Sequence, residues 1–308
     1  MKTAIATAGS IIVDLAVTTP RVPQRGENIL GHSFIMGPGG KGANASAAVA
    51  KLGASSFLIG SIGDDSFGRM ELAALKKAGV NVEGVMIDRD RSTGIAIIMI
   101  DDQGENTILV ALGANASLTA EAAKTALAPL ENKLDALLVN FEIPEPVVSA
   151  MIETGKDWGI PVVVDAGPPR SYSSETWKGA TVVSPNRLEA EFLVGHPIEG
   201  EEQLRQSAAE ILNLGPEAVV IKRGSEGALV CTSDELFNIP AFPVKPVDTT
   251  GAGDAFTGAL TVGLAEGMGL REAVRFGSAA GAITVTRLGT LPVLPTRREV
   301  EDFLRSRS

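Results

Sequence analysis

The chain has 308 residues, few of them aromatic, and its 27 basic and 37 acidic residues give a formal charge of −10 at pH 7. Such an acidic chain is poorly suited to nucleic acid or to an anionic membrane surface, so we expect neither as a partner. Its single cysteine, Cys231, excludes an internal disulfide and fits a reducing, cytoplasmic compartment. The sequence has no run of about 18 uninterrupted apolar residues, so we expect no membrane span.

Short apolar runs alternate with longer helical patterns through most of the chain. Because the apolar runs are continuous, the strands should be buried on both faces, which predicts an α/β fold with a mostly parallel central sheet flanked by helices. The predicted strands are Ala4–Val13, Ser56–Ile62, Ala136–Val139, Pro161–Val164, Thr181–Val183 and Ala218–Ile221. The predicted helices are Ala45–Leu52, Phe67–Ala78, Ala120–Leu130, Glu145–Trp158, Arg187–Val194, Leu204–Leu214, Asp254–Glu266 and Leu270–Arg287.

Two segments interrupt this rhythm. Residues 15–36 are rich in Pro and Gly and then alternate in polarity. Residues 92–112 contain two strand patterns, Gly94–Ile100 and Asn106–Ala111, joined by a polar turn, which predicts a hairpin. We therefore expect a small β-sheet lid made of 15–36 and 92–112, standing on an α/β core made of 1–14, 37–91 and 113–308.

The most informative stretch is Asp248-Thr249-Thr250-Gly251-Ala252-Gly253-Asp254, which leads directly into a helical pattern. Glycines permit tight turns, and the start of a helix leaves backbone N–H groups without partners. The amides of Gly251, Ala252 and Gly253 should therefore form an anion hole for a transferring phosphoryl group. Asp254 beside them can act as a general base toward an attacking hydroxyl. The same residues also fit a simple helix cap after an ordinary turn.

This stretch, with Phe256 and Gly258, resembles the C-terminal motif of the ribokinase (PfkB) family of carbohydrate kinases. Far upstream, Gly37-Pro38-Gly39-Gly40-Lys41-Gly42-Ala43-Asn44 resembles the family's N-terminal motif. The resemblance runs essentially end to end and is closest to ribokinases. It implies a ribokinase-like fold and an ATP-dependent kinase that transfers the γ-phosphate to a sugar hydroxyl. Ribose is the expected acceptor, with ribose 5-phosphate as the product.

For the sugar, the resemblance implies polar groups from several loops: Asp14, Gly40, Lys41, Asn44, Glu142 and the base Asp254. We expect Asp14 at the end of the first strand, where open α/β sheets place ligand groups. Ribokinases usually carry Asn two residues before this Asp, whereas this chain has Ile12, so one polar contact to the sugar is missing. Fructose, 2-keto-3-deoxygluconate and a nucleoside therefore stay open as acceptors.

For ATP, the resemblance implies residues in loops after the later strands and in the helical layer: Asn186, Lys222, Gly224, Ser225, Gly227, Gly253 and Ser278. Mg²⁺ is assigned to Asn186 and Glu189, whose oxygens suit this ion, although the pair also forms a helix capping box. A monovalent cation, K⁺, is implied beside the anion hole at Asp248, Thr250, Thr284, Arg287 and Gly289. A serine often found near this site is Val293 here, so potassium activation stays an open expectation.

Two rival interpretations remain at this point. Gly37–Gly42 also satisfies G-x-G-x-x-G, the dinucleotide fingerprint, which keeps an NAD-dependent dehydrogenase open, although the stretch follows the lid segment rather than the first core strand. A sugar- or nucleotide-binding sensor without turnover is the other rival. Independently of these rivals, the exposed strands of the expected lid can pair with a second subunit, which predicts a homodimer through the lid.

Overall fold

The computed structural model describes residues 2–170 and 172–307. Its strands are β1 Ala4–Ala8, β2 Ile12–Thr18, β3 Ser33–Gly39, β4 Ser55–Gly63, β5 Val80–Asn81, β6 Val85–Asp88, β7 Gly94–Ile100, β8 Asn106–Ala111, β9 Ala136–Asn140, β10 Val162–Asp165, β11 Val182–Ser184, β12 Ala218–Lys222, β13 Ala228–Thr232 and β14 Leu236–Ile239. Its helices are α1 Lys41–Lys51, α2 Ser66–Lys77, α3 Ala120–Leu127, α4 Glu145–Trp158, α5 Arg187–Val194, α6 Gly200–Leu212, α7 Ala252–Ala265, α8 Leu270–Thr284 and α9 Arg297–Arg305.

The main sheet has the order β14-β13-β12-β11-β10-β9-β1-β4-β5, and β6 also pairs with β4. It is parallel except at β13 and β14, which confirms the predicted mostly parallel sheet. Apolar clusters cover both faces of this sheet, so strands such as β9 are buried along their whole length. The parallel strands β9, β10 and β12 end at one edge, with Asn140, Asp165 and Lys222 as their last residues.

A second sheet, the lid, has the order β3-β2-β7-β8 and carries the predicted hairpin as β7 and β8. The predicted single strand Ala4–Val13 is wrong, because the chain leaves the main sheet after Ala8 and enters the lid at Ile12. Helix α1 packs into this break so closely that a Cβ on Gly42 would lie 2.4 Å from the carbonyl carbon of Gly9. Asp14 therefore belongs to lid strand β2 and does not end a core strand.

The helices follow the predicted pattern, with differences at their starts and ends: α3 and α8 each end three residues before the predicted bound. Helices α4 and α5 have the predicted bounds, whereas α1 begins at Lys41 and α6 at Gly200, four residues earlier than predicted in each case. The first turn of α6 is Gly-Glu-Glu-Gln, which contains no apolar residue, so hydrophobic periodicity gives no signal there. Among the helices in the described part of the chain, none is long and apolar enough to cross a membrane.

Apolar side chains stay exposed on the lid. They lie on or beside its strands and include Leu30, Phe34, Ile35, Met36, Ile97, Ile108, Leu109 and Val110. Of these, Met36, Ile97 and Leu109 share one face of the lid sheet, and exposed apolar surface of this kind is typical of a protein–protein contact. By contrast, Cys231 is a buried residue of strand β13 in the main sheet.

Candidate active site

The glycine-rich turn forms the N-terminus of helix α7. Gly251 is the N-cap residue and has φ 76°, a left-handed conformation that favours glycine, and no side chain caps this helix. Within the described chain, the amides of Gly251, Gly253 and Asp254 donate to no protein acceptor, whereas Ala252 donates to the Thr249 carbonyl at 3.3 Å. The turn therefore presents free amide donors, which suit an anion.

Asp254 lies in the first turn of α7 and is only 6 % exposed. The Asn44 side-chain amide donates to its Oδ2 at 2.8 Å, and the Lys41 ammonium lies 3.8 Å from its Oδ1. Burial raises the pKa of Asp254 to about 6, against the opposing effect of Lys41. The carboxylate is thus mostly ionised at neutral pH yet basic enough to take a proton, as a general base requires.

Two further carboxylates lie close to Asp254. Burial, with contributions from Glu142 and Asp254, raises the pKa of Asp14 to about 7. The Oε2 atom of Glu142 accepts a hydrogen bond from the Ser10 hydroxyl and another, at 3.3 Å, from the Lys41 backbone amide. Three acidic side chains from β2, from the loop after β9 and from α7 thus meet at one place, where they can accept hydrogen bonds from several hydroxyls of one ligand.

Lys41 provides the compensating charge for this acidic cluster. Burial by itself lowers the pKa of Lys41, but Asp165, Asp254, Glu189 and Glu142 outweigh this effect and leave the pKa above its ordinary value. The side chain therefore stays an ammonium and supplies hydrogen-bond donors among the carboxylates. Lys41 and Asn44 both lie in the first turn of α1, which explains why the sequence places them three residues apart.

The glycines of the N-terminal motif have a packing role that the sequence does not reveal. Gly40 has φ 92°, and a Cβ there would lie 2.7 Å from the backbone nitrogen of Ile12. Glycine is thus needed so that the start of α1 can approach the β1–β2 connection. The preceding strand β3 is antiparallel to β2 in the lid sheet, so this glycine loop lacks the core parallel strand that a dinucleotide fingerprint requires.

On the other side of Asp254, Lys222 ends β12 and pairs with the buried Asp165, with 3.1 Å between Nζ and Oδ1. The same ammonium would lie 3.8 Å from a Cβ on Gly253, so it stands beside the anion-binding turn. Burial acts to raise the pKa of Asp165, but Lys222 and Lys41 hold that pKa below its ordinary value. Sequence analysis missed Asp165, although its position at the end of a buried strand was the available signal.

A cleft of about 530 Å³ opens next to Lys222, a size that suits a small-molecule ligand. It is lined by Asn186, Arg187, Leu188, Gly200, Glu201, Leu204, Lys222, Arg223, Gly224 and Glu226. Three of the residues predicted to bind ATP, Asn186, Lys222 and Gly224, therefore share one cleft. Ser225 and Gly227 lie in the adjoining loop, Gly253 lies in the turn of α7, and Ser278 lies on α8 with its hydroxyl donating to the Val274 carbonyl.

Asn186 and Glu189 form a complete capping box at the start of α5, with bonds of 2.9 and 2.7 Å. Glu189 keeps its second oxygen, Oε1, which faces Gly167 near the Lys41 ammonium. In the described part of the chain, no group of three or more His, Cys, Asp or Glu side chains could hold a metal ion. The donor set fits Mg²⁺ only if phosphate and water supply most of its ligands, which is the usual arrangement for this ion.

The residues predicted to bind a monovalent cation surround the turn after α8. Asp248 accepts the amides of Thr250 and Gly289 at 2.9 and 3.0 Å. In the described residues, nothing donates to the carbonyl oxygens of Thr250, Arg287 and Gly289, which leaves these oxygens free for a cation. By contrast, Thr284 is fully buried, and its hydroxyl donates to the Ala280 carbonyl at 2.9 Å.

Glu71 is a buried acid that sequence analysis did not predict. It lies in α2 at 0 % exposure, its Oε1 accepts the Gly39 amide at 3.3 Å, and its Oε2 has no hydrogen-bond partner. Burial, with a contribution from Asp14, raises the pKa of Glu71 to about 9. This carboxyl is therefore uncharged at neutral pH and interacts with Asp14 of the acidic cluster. Its position in the sequence did not indicate burial, because a single acid in an amphipathic helix is normally expected on the solvent-exposed face.

Free amides can stabilise a transferring phosphoryl group, and an adjacent base with a near-neutral pKa can take the proton of the attacking alcohol. This combination defines the chain as a phosphotransferase. The model of the pfkB family of carbohydrate kinases matches residues 2–297, and the chain belongs to that family. It is 38 % identical over 300 residues to the ribokinase of Bacillus subtilis, covering 97 % of this chain and 99 % of that protein. This membership sets aside the dehydrogenase and the sensor without turnover.

Two solved structures are informative relatives. The structure of Arabidopsis thaliana ribokinase complexed with ribose and ATP has a TM-score of 0.89 at 31 % identity, covering 99 % of both chains. The structure of phosphofructokinase-2 from Escherichia coli in complex with potassium has a TM-score of 0.81 at 26 % identity, covering 99 % of both chains. The fold is therefore ribokinase-like, as the sequence motifs imply.

Proposed function

We propose that this carbohydrate kinase transfers the γ-phosphate of ATP to the primary hydroxyl of ribose, giving ribose 5-phosphate. The observation that carries the proposal is the position of Asp254, whose carboxylate adjoins both the acidic sugar-side cluster and the turn of free amides. The similarity to a ribokinase that binds ribose and ATP supports the choice of both substrates.

On the sugar side, Asp14 and Glu142 accept hydrogen bonds from ribose hydroxyls, while Lys41 and Asn44 donate to the sugar. Gly40 contributes backbone contacts at the start of α1. These groups orient the primary hydroxyl toward Asp254, and such orientation supplies much of the rate enhancement in phosphoryl transfer. Lid strands β2 and β3 carry or adjoin these groups, so closure of the lid over the sugar excludes water and limits wasteful ATP hydrolysis.

On the phosphate side, ATP lies along the cleft beside Lys222 with its γ-phosphate at the amides of Gly251 and Gly253. Asp254 takes the proton as the hydroxyl oxygen attacks the γ-phosphorus, and the bond to the β-phosphate oxygen breaks to release ADP. The amides and the Lys222 ammonium stabilise the charge on the transferring group. Gly224, Ser225, Gly227 and Ser278 line the path to the adenosine end.

Mg²⁺ bound with ATP neutralises phosphate charge, and Glu189 with Asn186 would hold it through water and phosphate oxygens. The second oxygen of Glu189 is the protein atom that supports this assignment, since the first is used in the capping box. Lys41 nearby limits the net negative charge on the protein side of the metal.

K⁺ is proposed at Asp248 and the carbonyl oxygens of Thr250, Arg287 and Gly289, with Thr284 at its inner side. The free carbonyl oxygens and the related structure in complex with potassium support this site. A cation there would stiffen the segment that adjoins Gly251. Val293 supplies no hydroxyl, so the site depends on backbone oxygens and one carboxylate.

The identity of the acceptor sugar depends on residues outside the catalytic motif. Ile12 pairs with Gly39 beside Asp14 and offers no hydrogen bond where ribokinases usually have Asn. One hydrogen bond is worth about 0.5–1.5 kcal/mol, enough to change a preference among sugars. Fructose, 2-keto-3-deoxygluconate and a nucleoside are therefore the competing acceptors in any assay.

We also propose a homodimer formed through the lid and a cytoplasmic location. One face of the lid carries the exposed apolar residues Phe34, Met36 and Leu109, which favour burial against a second copy. A single cysteine without a disulfide partner fits a reducing compartment. Light scattering of the purified chain tests the dimer, and Leu109→Asp should yield a monomer.

The proposed reaction is tested by ADP release with MgATP and a panel of ribose, fructose, 2-keto-3-deoxygluconate and adenosine. The highest kcat/KM should be found with ribose, and the product should be phosphorylated at the primary hydroxyl. A higher kcat/KM with another acceptor would overturn the choice of ribose while leaving the kinase chemistry intact. Absence of ADP release with every acceptor would overturn ATP as the donor or the acceptor class.

A further inference from the structure

One side chain, Thr290, joins the lid to the segment behind the anion-binding turn. Its hydroxyl donates to the Pro38 carbonyl of lid strand β3 at 2.8 Å. Pro38 pairs with Val13, the neighbour of Asp14, so this bond reaches the strands that carry the sugar-side carboxylate. On its other side Thr290 lies against Gly251, where an added Cβ would be 3.8 Å from the Thr290 Cα.

The segment that carries Thr290 is firmly held from outside the lid. The Lys51 ammonium donates to the carbonyl oxygens of Leu291, Pro292 and Leu294 at 2.9, 2.8 and 3.0 Å, so all three of its hydrogens have acceptors. Lys51 is the last residue of α1, the helix whose first turn carries Lys41 and Asn44. The residues after Thr290 are therefore fixed to the same helix that binds the sugar.

The residues before Thr290 are held as well. The Gly289 amide donates to Asp248, and the other oxygen of Asp248 accepts the Thr250 amide next to Gly251. With both flanks fixed, a shift of β3 at Pro38 cannot be absorbed by free movement of the loop. It must change the geometry at Thr290 and at the adjoining turn, because closely packed groups transmit displacement.

We propose that Thr290 is a positioning residue that couples sugar binding at the lid to nucleotide binding at the turn of α7. This inference rests on the proposed function, since it needs ribose and ATP as the two ligands. The Thr290 hydroxyl contacts neither ligand in the proposed arrangement. Through its bond to Pro38, it would make the lid position that ribose binding favours more compatible with the turn geometry that holds the phosphate, and the coupling is reciprocal.

The experiment is a binding cycle by titration calorimetry. The Kd of ribose is measured with and without a non-hydrolysable ATP analogue and Mg²⁺, for the full-length wild type, Thr290→Val and Thr290→Ser. Val keeps the shape without the hydroxyl, whereas Ser keeps the hydroxyl. Thr154→Val is the matched control, because the hydroxyl of the half-buried Thr154 donates locally to the Ala150 carbonyl in α4.

The analogue should tighten ribose binding in the wild type, in Thr290→Ser and in Thr154→Val by similar factors. In Thr290→Val the factor should fall by about 2- to 12-fold, the range that one hydrogen bond supplies. A purely structural role would lower the melting temperature of Thr290→Val and leave the coupling factor unchanged. If Thr290→Val does not fold, Thr290→Ala removes the same bond with less strain on its neighbours.

Two results overturn the inference alone: equal coupling in the wild type and Thr290→Val, or binding of both ligands to the wild type with no coupling. If wild type binds neither ribose nor the analogue, the proposed function fails and the inference fails with it. The two failures are therefore distinguished by the single-ligand titrations of the wild type.

Discussion

The Lys41 ammonium lies 3.8 Å from Oδ1 of Asp254, while Asn44 donates to Oδ2 of the same carboxylate. One helical turn of α1 thus holds both oxygens of the proposed base. Burial raises the pKa of this carboxyl, and the two partners oppose that effect. The same contacts hold this carboxylate in one orientation.

Replacement of Asp254 by Asn should lower kcat by about 10²–10⁴-fold, because the amide cannot accept the proton of the attacking hydroxyl. Binding of ribose and of the ATP analogue should change much less, since the fold and the free amides remain. ADP release under saturating substrates is the measurement. Asp157→Asn, on the exposed face of α4, is the matched control, and near-equal kcat in Asp254→Asn would remove Asp254 from the role of base.

The activity should fall on the acid side of the pH profile, with apparent pKa values between about 6 and 7. Asp254 and Asp14 have pKa values of about 6 and 7, and both act in their ionised forms, so protonation lowers kcat/KM as pH falls. Because the two groups interact, these values belong to the cluster and not to one residue. A flat kcat/KM between pH 5 and 8 would contradict this prediction.

Removal of the positive charge at Lys41 should shift the acid-side fall of kcat/KM (the acid limb of the pH profile) to higher pH. Lys41→Met deletes the ammonium that lowers the pKa of Asp254, so the base protonates at a higher pH than in the wild type. Lys41→Arg keeps a positive charge and is the matched control. The comparison uses the shape of the kcat/KM profile and not its height, since Lys41 also binds the sugar. A limb unchanged in Lys41→Met would disprove the charge coupling.

Glu71 should destabilise the protein as pH rises. Its pKa is about 9 in the folded protein against an ordinary 4.5, so the unfolded chain alone releases this proton between those values. The free energy of unfolding should therefore decrease through this window, by at most about 1.4 kcal/mol per pH unit. Glu71→Gln should raise the melting temperature, relative to the wild type, more at pH 8 than at pH 5. The exposed Glu131→Gln is the control, and an equal effect at both pH values would refute the assignment.

Lys222 should serve both stability and nucleotide binding. Lys222→Met leaves the buried Asp165 with less compensation, which typically costs about 3–5 kcal/mol of unfolding free energy. The double variant Lys222→Met with Asp165→Asn should recover much of that loss, because the uncompensated charge is gone. Its KM for ATP should stay high, since the ammonium beside Gly253 is still missing. Urea unfolding and ADP release separate the two effects, and full recovery of KM in the double variant would speak against a phosphate contact.

Potassium should activate the enzyme, and Val293→Ser should lower the K⁺ concentration needed for half-maximal activity. The new hydroxyl would add one oxygen to a site that otherwise depends on Asp248 and backbone carbonyls. Rates are measured in KCl against NaCl at constant ionic strength. Val22→Ser, on the lid, is the control for a Val-to-Ser change, and identical rates in KCl and NaCl for the wild type would exclude activation.

The sequence by itself determined the mostly parallel α/β sheet, the lid hairpin, the bounds of α4 and α5, and the glycine turn that precedes Asp254. These features are local, because continuous apolar runs, helical periodicity and turn residues act over a few neighbouring positions. Family motifs added the expected role of Asp254 and of the sugar-side residues, which no local pattern supplies. The predicted anion hole needed only the rule that a helix N-terminus exposes its amides.

Tertiary structure alone decided that the first predicted strand is interrupted between Ala8 and Ile12, so that Asp14 lies in the lid sheet. It also decided that Asp165 pairs with Lys222 and that Glu71 is buried close enough to interact with Asp14. These relations join residues far apart in the chain, and the burial of Glu71 has no signature in its neighbours along the sequence. The pKa of Asp254 depends on this packing, because desolvation and the approach of Lys41 arise only after α1 and α7 meet.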